Sequence, residues 1–228
     1  MKILITGSQG FIGSYVCQEL LNHNYEVVGV DNYSKYGYLK RPQDNHPNFT
    51  FYWCDVKTDE YINVVKEEQP DMIIAGASMI GGISYFHKYA YDLLAENERI
   101  IANTFDSAIW GHNYGYLKRI IVMSSSMVFE EANIFPTPES EVRKCPPPMS
   151  TYGFQKLSCE YFCQGANEQY GLPYTIVRPF NCVGVGEDAA INESEVTSGN
   201  VKLMLSHVLP DLVNKVLLGQ DPLHILGS

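Results

Sequence analysis

Gly7-Ser8-Gln9-Gly10-Phe11-Ile12-Gly13 is the stretch that decides the fold. It follows a short apolar run, residues 2–6, that reads as a buried strand. It opens a segment, 11–23, in which Phe11, Ile12, Tyr15, Val16, Leu20 and Leu21 recur at helical spacing. Each glycine has a physical task there. Gly7 permits the tight turn out of the strand. Gly10 lets the backbone approach a pyrophosphate with no Cβ in the way. Gly13 lets the helix pack close to the sheet. A phosphate would then sit on free N–H groups at the positive end of the helix dipole.

Outward from that turn, strands and helices alternate. Residues 26–30, 49–53, 71–75, 120–124 and 174–178 read as further strands. Residues 58–68, 90–112 and 151–170 read as helices, the last ended by Gly171-Leu172-Pro173. Residues 32–48, and the proline-rich stretch 127–149, read as loops. The alternation predicts an α/β fold of Rossmann type, a doubly wound parallel sheet with helices on both faces. The character changes near residue 182, the one candidate boundary, which divides 1–181 from 182–228. Beyond it, 187–200 reads as a polar loop, 201–218 as a helix and 223–226 as a strand. No repeat of solenoid length is visible.

Composition sets the class. The 228 residues carry 45% apolar and 18% charged side chains, ordinary for a globular chain with a sizeable core. A net charge of -10 without a basic cluster argues against nucleic acid or an anionic membrane as partner. No apolar run is long enough to span a bilayer or to form a signal-peptide core, so a cytoplasmic location is expected. The cysteines Cys17, Cys54, Cys145, Cys159, Cys163 and Cys182 form no CxxC and have no histidine at metal spacing. Cys159 and Cys163 share a helix face and read as reduced packing thiols, so no metal is expected.

The second strand ends at Asp31, followed by Asn32. An acid at that place accepts hydrogen bonds from adenosine ribose hydroxyls and repels a 2′-phosphate, which favours NAD over NADP. No arginine directly follows it, although Lys35 is near.

Tyrosine and lysine four apart on a helix share a face, and the ammonium stabilises a phenolate that can move a proton. Three such pairs occur: Tyr36/Lys40, Tyr114/Lys118 and Tyr152/Lys156. The first follows strand 2, on the adenosine side. The second lies just before strand 5, at an edge where open α/β sheets do not place ligands. Tyr152/Lys156 follows strand 5 and opens the next helix, so it is the candidate acid/base pair. Ser124-Ser125-Ser126 at the end of strand 5 could polarise a substrate oxygen.

Together these pieces resemble the extended short-chain dehydrogenase/reductase superfamily, in its nucleotide-sugar epimerase/dehydratase branch. The resemblance is carried by TGSQGFIG at 6–13, Asp31, Asp55-Val56, Ala75-Gly76-Ala77, Asn97, the three serines, STYGFQK at 150–156 and RPFNCVGVGE at 178–187. It implies Tyr152 as acid/base and Lys156 as its partner and a ligand of the nicotinamide ribose. It points to Ser125 as the catalytic serine, with Ser124 and Ser126 as runners-up. It implies cofactor contacts at Gly7, Gly10, Phe11, Ile12, Gly13, Asp31, Asn32, Asp55, Val56, Ala75, Gly76, Ala77 and Asn97, and substrate contacts at Ser125, Ser126 and Asn181. The glycine and threonine usual after the family asparagine are Ile100 and Ile101 here.

The resemblance also implies the reaction. A hydroxyl proton passes to Tyr152 while hydride passes to NAD, and a keto-sugar results. Dehydratases carry an Asp-Glu pair after the catalytic serine or threonine, where Ser126-Met127 stand. A related reductase uses a cysteine there and NADPH. Epimerisation remains, with UDP-hexose 4-epimerisation the modal expectation; the alternatives are a non-catalytic NAD-binding regulatory or sensor protein of the same fold, or another nucleotide-sugar reductase or dehydratase. The resemblance makes 182–228 the start of a small substrate domain, since relatives run on for roughly a hundred residues more. It further implies a homodimer through helices 90–112 and 151–170, to which Ile100, Ile101, Phe105, Ile109 and Trp110 could give an apolar face; a core-facing stripe explains that pattern equally.

Overall fold

The computed structural model describes residues 1–80, 89–187 and 208–223. Strands β1 (Lys2–Thr6), β2 (Glu26–Asp31), β3 (Phe49–Trp53), β4 (Met72–Ala75), β5 (Arg119–Met123) and β6 (Tyr174–Val177) form one sheet in the order β3-β2-β1-β4-β5-β6. Every neighbouring pair is parallel. This is the doubly wound order expected of a Rossmann fold, and the order reverses between β1 and β4. Helices α1 (Phe11–Asn22), α2 (Asp59–Glu68), α3 (Ala90–Asn113) and α4 (Thr151–Tyr170) supply the crossovers, and α5 (Val208–Leu217) follows.

Period-two alternation sorts the side chains of β1 to two cores. Ile3 and Ile5 meet Val27, Cys17 and Leu21 under α1. Leu4 joins Val28, Val30, Ile73, Ile120 and Val122 on the other face, against Tyr61, Val64 and Val65 of α2 and Phe105 and Ala108 of α3. Phe105 stacks on Phe162 with centroids 5.7 Å apart, joining α3 to α4.

The apolar stripe of α3 is thereby assigned. Ile101 and Phe105 are buried in the core, and Ile100 and Ile109 pack against it. Trp110 stacks on Tyr114 at 4.2 Å. The stripe is core-facing. Cys159 and Cys163 are free and buried in the same core, and burial pushes the Cys163 thiol up to about 12 and that of Cys159 upward as well.

Several expected boundaries move. β2 runs one residue further and includes Asp31, whereas β5 stops at Met123 and leaves all three serines beyond it. The loop 32–48 contains a 3-10 turn, Pro42–Asn45, and the stretch 127–149 contains Glu139–Arg143 and most of Ser126–Phe129. Proline fixes φ and favours such tight turns without sustaining a helix. The expected helix 201–218 is seen as Val208–Leu217, and 201–207 lie outside the described residues. Of the expected strand 223–226, Leu223 is not in a strand and the rest lies outside the described residues, as does 188–200 of the polar loop. No helix among the described residues is long and apolar enough to cross a membrane.

Candidate active site

The glycine turn leaves β1 with Gly7 at φ +75°, where its N–H donates to the Val30 carbonyl at 2.8 Å. A Cβ on Gly7 would sit 3.0 Å from the backbone of Gly76 and Ala77. A Cβ on Gly13 would come within 2.0 Å of the Gly7 carbonyl oxygen, so that glycine closes the turn on itself. One on Gly10 would meet only the Gly7 oxygen, at 3.1 Å. Helix α1 begins at this point with no side-chain cap, so its first N–H groups face the cavity mouth as an anion cradle.

A cavity of about 390 Å³ opens at the ends of β1, β2 and β4, where the strand order reverses. Gly7, Gly10, Phe11, Ile12, Gly13, Asp31, Asn32, Asp55, Val56, Gly76 and Ala77 all line it. So do Lys35 and Glu187. The Asp31 carboxylate is oriented by two backbone amides, Tyr33 at 2.8 Å and Gln9 at 3.0 Å. Burial pushes its pKa above the ordinary value, against the pull of those amides and of Arg41. Asp55 accepts from the Asn32 carboxamide at 3.2 Å and from the Lys57 amide at 2.9 Å.

A second cavity, of about 130 Å³, shares Ile12, Gly13, Gly76, Ser78 and Ile80 with the first. Tyr152, Lys156, Ser124, Met123 and Pro179 also line it, over an apolar floor of Ile5, Val16 and Ile74. Helix α4 is fixed there by its N-cap: Ser150 Oγ accepts from the Gly153 amide at 3.0 Å and donates to Glu130 at 2.9 Å. The next turns carry Tyr152 and Lys156, both buried. Lys156 Nζ donates to the Met123 carbonyl at 3.1 Å and lies 5.8 Å from the centre of the Tyr152 ring. Its contact to Ser78 Oγ is longer, 3.5 Å.

The other two Tyr/Lys pairs are elsewhere. Tyr36 lines the larger cavity. Tyr114 is exposed, and Lys118 pairs with Asp71 at the opposite edge of the sheet. The three serines have different surroundings. Ser124 lines the smaller cavity, but its hydroxyl donates to the buried Glu160 at 2.7 Å. Ser125 caps the turn Ser126–Phe129, its oxygen accepting from the Met127 amide at 3.2 Å. The Ser126 amide donates to the Pro179 carbonyl at 3.0 Å. Asn181 is exposed past the end of β6.

Asn97 is not among the residues lining either cavity. Its carboxamide accepts from the Met79 amide at 2.7 Å and from Ser78 Oγ at 3.0 Å, and donates to the Met79 carbonyl at 2.9 Å. It therefore clamps the cavity wall after β4. Ala75 is buried at the end of β4, behind that wall.

Several supporting residues had no sequence signal of their own. Thr6 Oγ1 accepts from the amides of both Gly76 and Ala77 at 3.1 Å, pinning the wall to β1. Gln43, in the turn Pro42–Asn45, donates to the Ser8 carbonyl at 3.1 Å and accepts from Ser14 at 3.0 Å, bracing the glycine turn from behind. Arg41 donates to the Gln9 carbonyl at 3.0 Å. The buried Glu96 on the cavity wall pairs with Lys57 and with Arg99. Glu160 lies four residues past Lys156 and Arg178 opens the RPFN run, but only the fold shows that they meet.

The comparisons agree with this architecture. Residues 3–228 match the model of the NAD dependent epimerase/dehydratase family. The UDP-glucose 4-epimerase of Halalkalibacterium halodurans is 29% identical over 228 residues, covering 96% of this chain and 60% of that protein. The Thermotoga maritima UDP-glucose 4-epimerase, solved with UDP-glucose, superposes with a TM-score of 0.77 at 27% identity, over all of this chain and 66% of that one. The Bifidobacterium longum UDP-glucose 4-epimerase, solved with NAD+ and UDP, gives a TM-score of 0.68 at 25% identity, over 82% of this chain and 55% of that one. The chain thus spans 60–64% of the length of the first curated relatives it matches.

NAD, the family's cofactor, fits the residues present: a glycine cradle that any Cβ would crowd, an oriented acid at the end of β2, and a Tyr/Lys pair in the adjoining cavity. With a doubly wound sheet, that cofactor cavity and a match over residues 3–228, the chain belongs to the NAD dependent epimerase/dehydratase family.

Proposed function

We propose that this chain supplies the cofactor and proton-transfer machinery of a nucleotide-sugar epimerase, with UDP-hexose 4-epimerisation as its reaction. The observation that carries the proposal is the burial of Tyr152 and Lys156 together in the cavity that shares Gly13, Gly76 and Ser78 with the cofactor cavity. The names of the relatives supply the sugar nucleotide.

NAD, when bound, would supply a reversible hydride acceptor for the sugar carbon. The chain's residues handle the proton. Tyr152, as phenolate, takes the proton of the sugar hydroxyl as that carbon becomes a ketone. Lys156, held on the Met123 carbonyl, sets its ammonium 5.8 Å from the centre of the Tyr152 ring, where positive charge favours the phenolate. Ser125 hydrogen-bonds the sugar oxygen while its own oxygen is oriented by the Met127 amide. Tyr152 gives the proton back once the ketone is reduced on its opposite face, so the residue ends the cycle as it began it. Met127 stands where a dehydratase would carry an acid, and it can neither donate nor accept the proton that elimination of water requires.

Residues 182–228 belong, in this proposal, to the substrate-holding part, with Asn181 and Ser126 on the sugar side. The protein works in the cytoplasm, and a homodimer would use the exposed Tyr91 of α3 with Phe154 and Tyr161 of α4. Light scattering that shows only monomer removes the dimer. Incubation with NAD and UDP-galactose should give UDP-glucose by proton NMR. Tyr152→Phe should lower turnover by about 10²–10⁴-fold while NAD still binds. Clear NAD binding with no epimer from the native protein would instead favour a non-catalytic NAD-binding role.

A further inference from the structure

Helix α4 carries a third polar residue on the face of Tyr152 and Lys156. Glu160 follows at the same spacing of four and is 2% exposed. It is fully engaged. Oε1 accepts from Ser124 Oγ at 2.7 Å and from Arg178 Nε at 2.7 Å, and Oε2 accepts from Arg178 Nη2 at 2.8 Å. Arg178 stands just past β6 and lies 5.3 Å over the Phe129 ring, in the turn that Ser125 caps. A planar two-pronged pair of this kind fixes direction as well as distance.

The pair sits where β5 ends. Lys156 holds the Met123 carbonyl and Glu160 holds the next side chain, Ser124. From the β6 side, Val177 accepts from the Ser124 amide at 2.8 Å and Pro179 from the Ser126 amide at 3.0 Å. Ser125 is the residue between those two ties. A buried charged pair can be replaced by apolar groups without loss of stability, so stability alone does not account for one here.

We infer that Glu160 and Arg178 are positioning residues: Glu160, gripped by Arg178, binds the Ser124 hydroxyl at the wall of the smaller cavity, and by doing so holds Ser125 in a fixed place relative to Tyr152. Ser124 is an anchor, its O–H spent on Glu160, whereas the Ser125 oxygen accepts from the Met127 amide and its O–H is the one assigned to substrate. This inference rests on the proposed roles of Tyr152 and Ser125, but its structural half can be read without turnover.

The test uses the native protein, Ser124→Ala and Glu160→Gln, each with NAD bound. Ser124→Ala deletes one oxygen; Glu160→Gln keeps an acceptor for Ser124 and loses the ionic fork. Hydrogen exchange should quicken by about tenfold or more at the amides of Ser126 and Met127 in both variants, while Ile120 to Val122 keep their protection. If the native protein turns over UDP-galactose, kcat should fall by roughly tenfold or more in both variants with KM nearly unchanged. The double variant should be no worse than Ser124→Ala alone, because both changes break the same chain of contacts from Arg178 through Glu160 to Ser124. Unchanged exchange at Ser126 and Met127 in both variants overturns the inference. So does a uniform rise in exchange along β5, which is the mark of a merely structural pair. Should Glu160→Gln fail to fold, Ser124→Ala decides the matter alone. A native protein that makes no epimer counts against the proposed function, and the exchange result still decides the positioning.

Discussion

Gly13 carries the tightest local constraint in the cradle. Its missing Cβ leaves room for the Gly7 carbonyl, which would otherwise lie 2.0 Å away. Gly13→Ala should therefore cost about 3 kcal/mol in urea unfolding, at the upper end of overpacking penalties. Gly10→Ala meets only one atom, at 3.1 Å. It should leave stability nearly intact yet weaken NAD binding, by roughly tenfold for 1.4 kcal/mol lost, measured by calorimetric titration. That contrast separates a glycine the turn needs from one the ligand needs. The motif already assigned Gly10 to the ligand and Gly13 to close packing; that Gly13 packs on the Gly7 carbonyl, inside the turn itself, was not legible. The serines illustrate the same limit: three adjacent hydroxyls look alike in sequence, and only burial against Glu160 distinguishes Ser124.

Among the elements, the segments with clear periodicity were legible and the irregular ones were not. Helix α4 falls on 151–170 as expected, since its cap serine and its terminal glycine are local signals. The turn Pro42–Asn45 lies in a polar stretch with no period and read as a plain loop. Yet its Gln43 is 1% exposed and holds both Ser8 and Ser14. Gln43→Ala leaves the buried Ser8 carbonyl without its partner and the Ser14 hydroxyl with the Gln18 carboxamide alone, which should cost about 1–3 kcal/mol in thermal or urea unfolding. NAD affinity should fall with it, because the brace lies directly behind the phosphate cradle. Full retention of both would show that the brace is incidental. The apolar stripe of α3 was legible as a stripe, but its direction was ambiguous. Packing of Ile101 and Phe105 into the core settles that direction.

Across the whole molecule, the two edges of the sheet have divided roles. The C-terminal edge holds both cavities, and the N-terminal edge is tied by charge. There Asp71 pairs with Lys118 and accepts from the Lys2 amide at 2.8 Å. The Lys118 hydrogen bond, with help from that amide, holds the Asp71 carboxyl below its ordinary value. A depressed folded pKa means that the ionised form stabilises the fold. This stabilisation is present above the unfolded value of about 3.9 and is lost as pH falls through the folded one. Asp71→Asn should thus lower stability at pH 7 by no more than about 0.2–1 kcal/mol, because solvent screens so exposed a pair, and the difference should vanish in acid as the carboxyl protonates. Cofactor binding should be unaffected, since the pair lies across the sheet from the cradle. A stability gap that persists at low pH would mean that the loss comes from packing instead of charge.

The sequence by itself determined the strand-helix alternation, the glycine cradle, Asp31 and the spacing of Tyr152 and Lys156. These are short-range properties: a helical or strand period, a turn, or a residue at the end of a strand can be read within a few positions. The tertiary structure alone decided which groups meet across the chain. Ser124 finds Glu160 36 residues away, and Gln43 finds Ser8 35 residues away. It also turned Asn97 to the wall at Ser78 and Met79, 19 and 18 residues back. A buried polar group must have a partner, but the partner is chosen by how the layers pack, and local patterning does not record that choice. The turn at Gly7 to Gly13 could therefore be recognised at once as a cradle, while the residues that brace it, and those that seat Ser125 beyond it, became identifiable only in the folded chain.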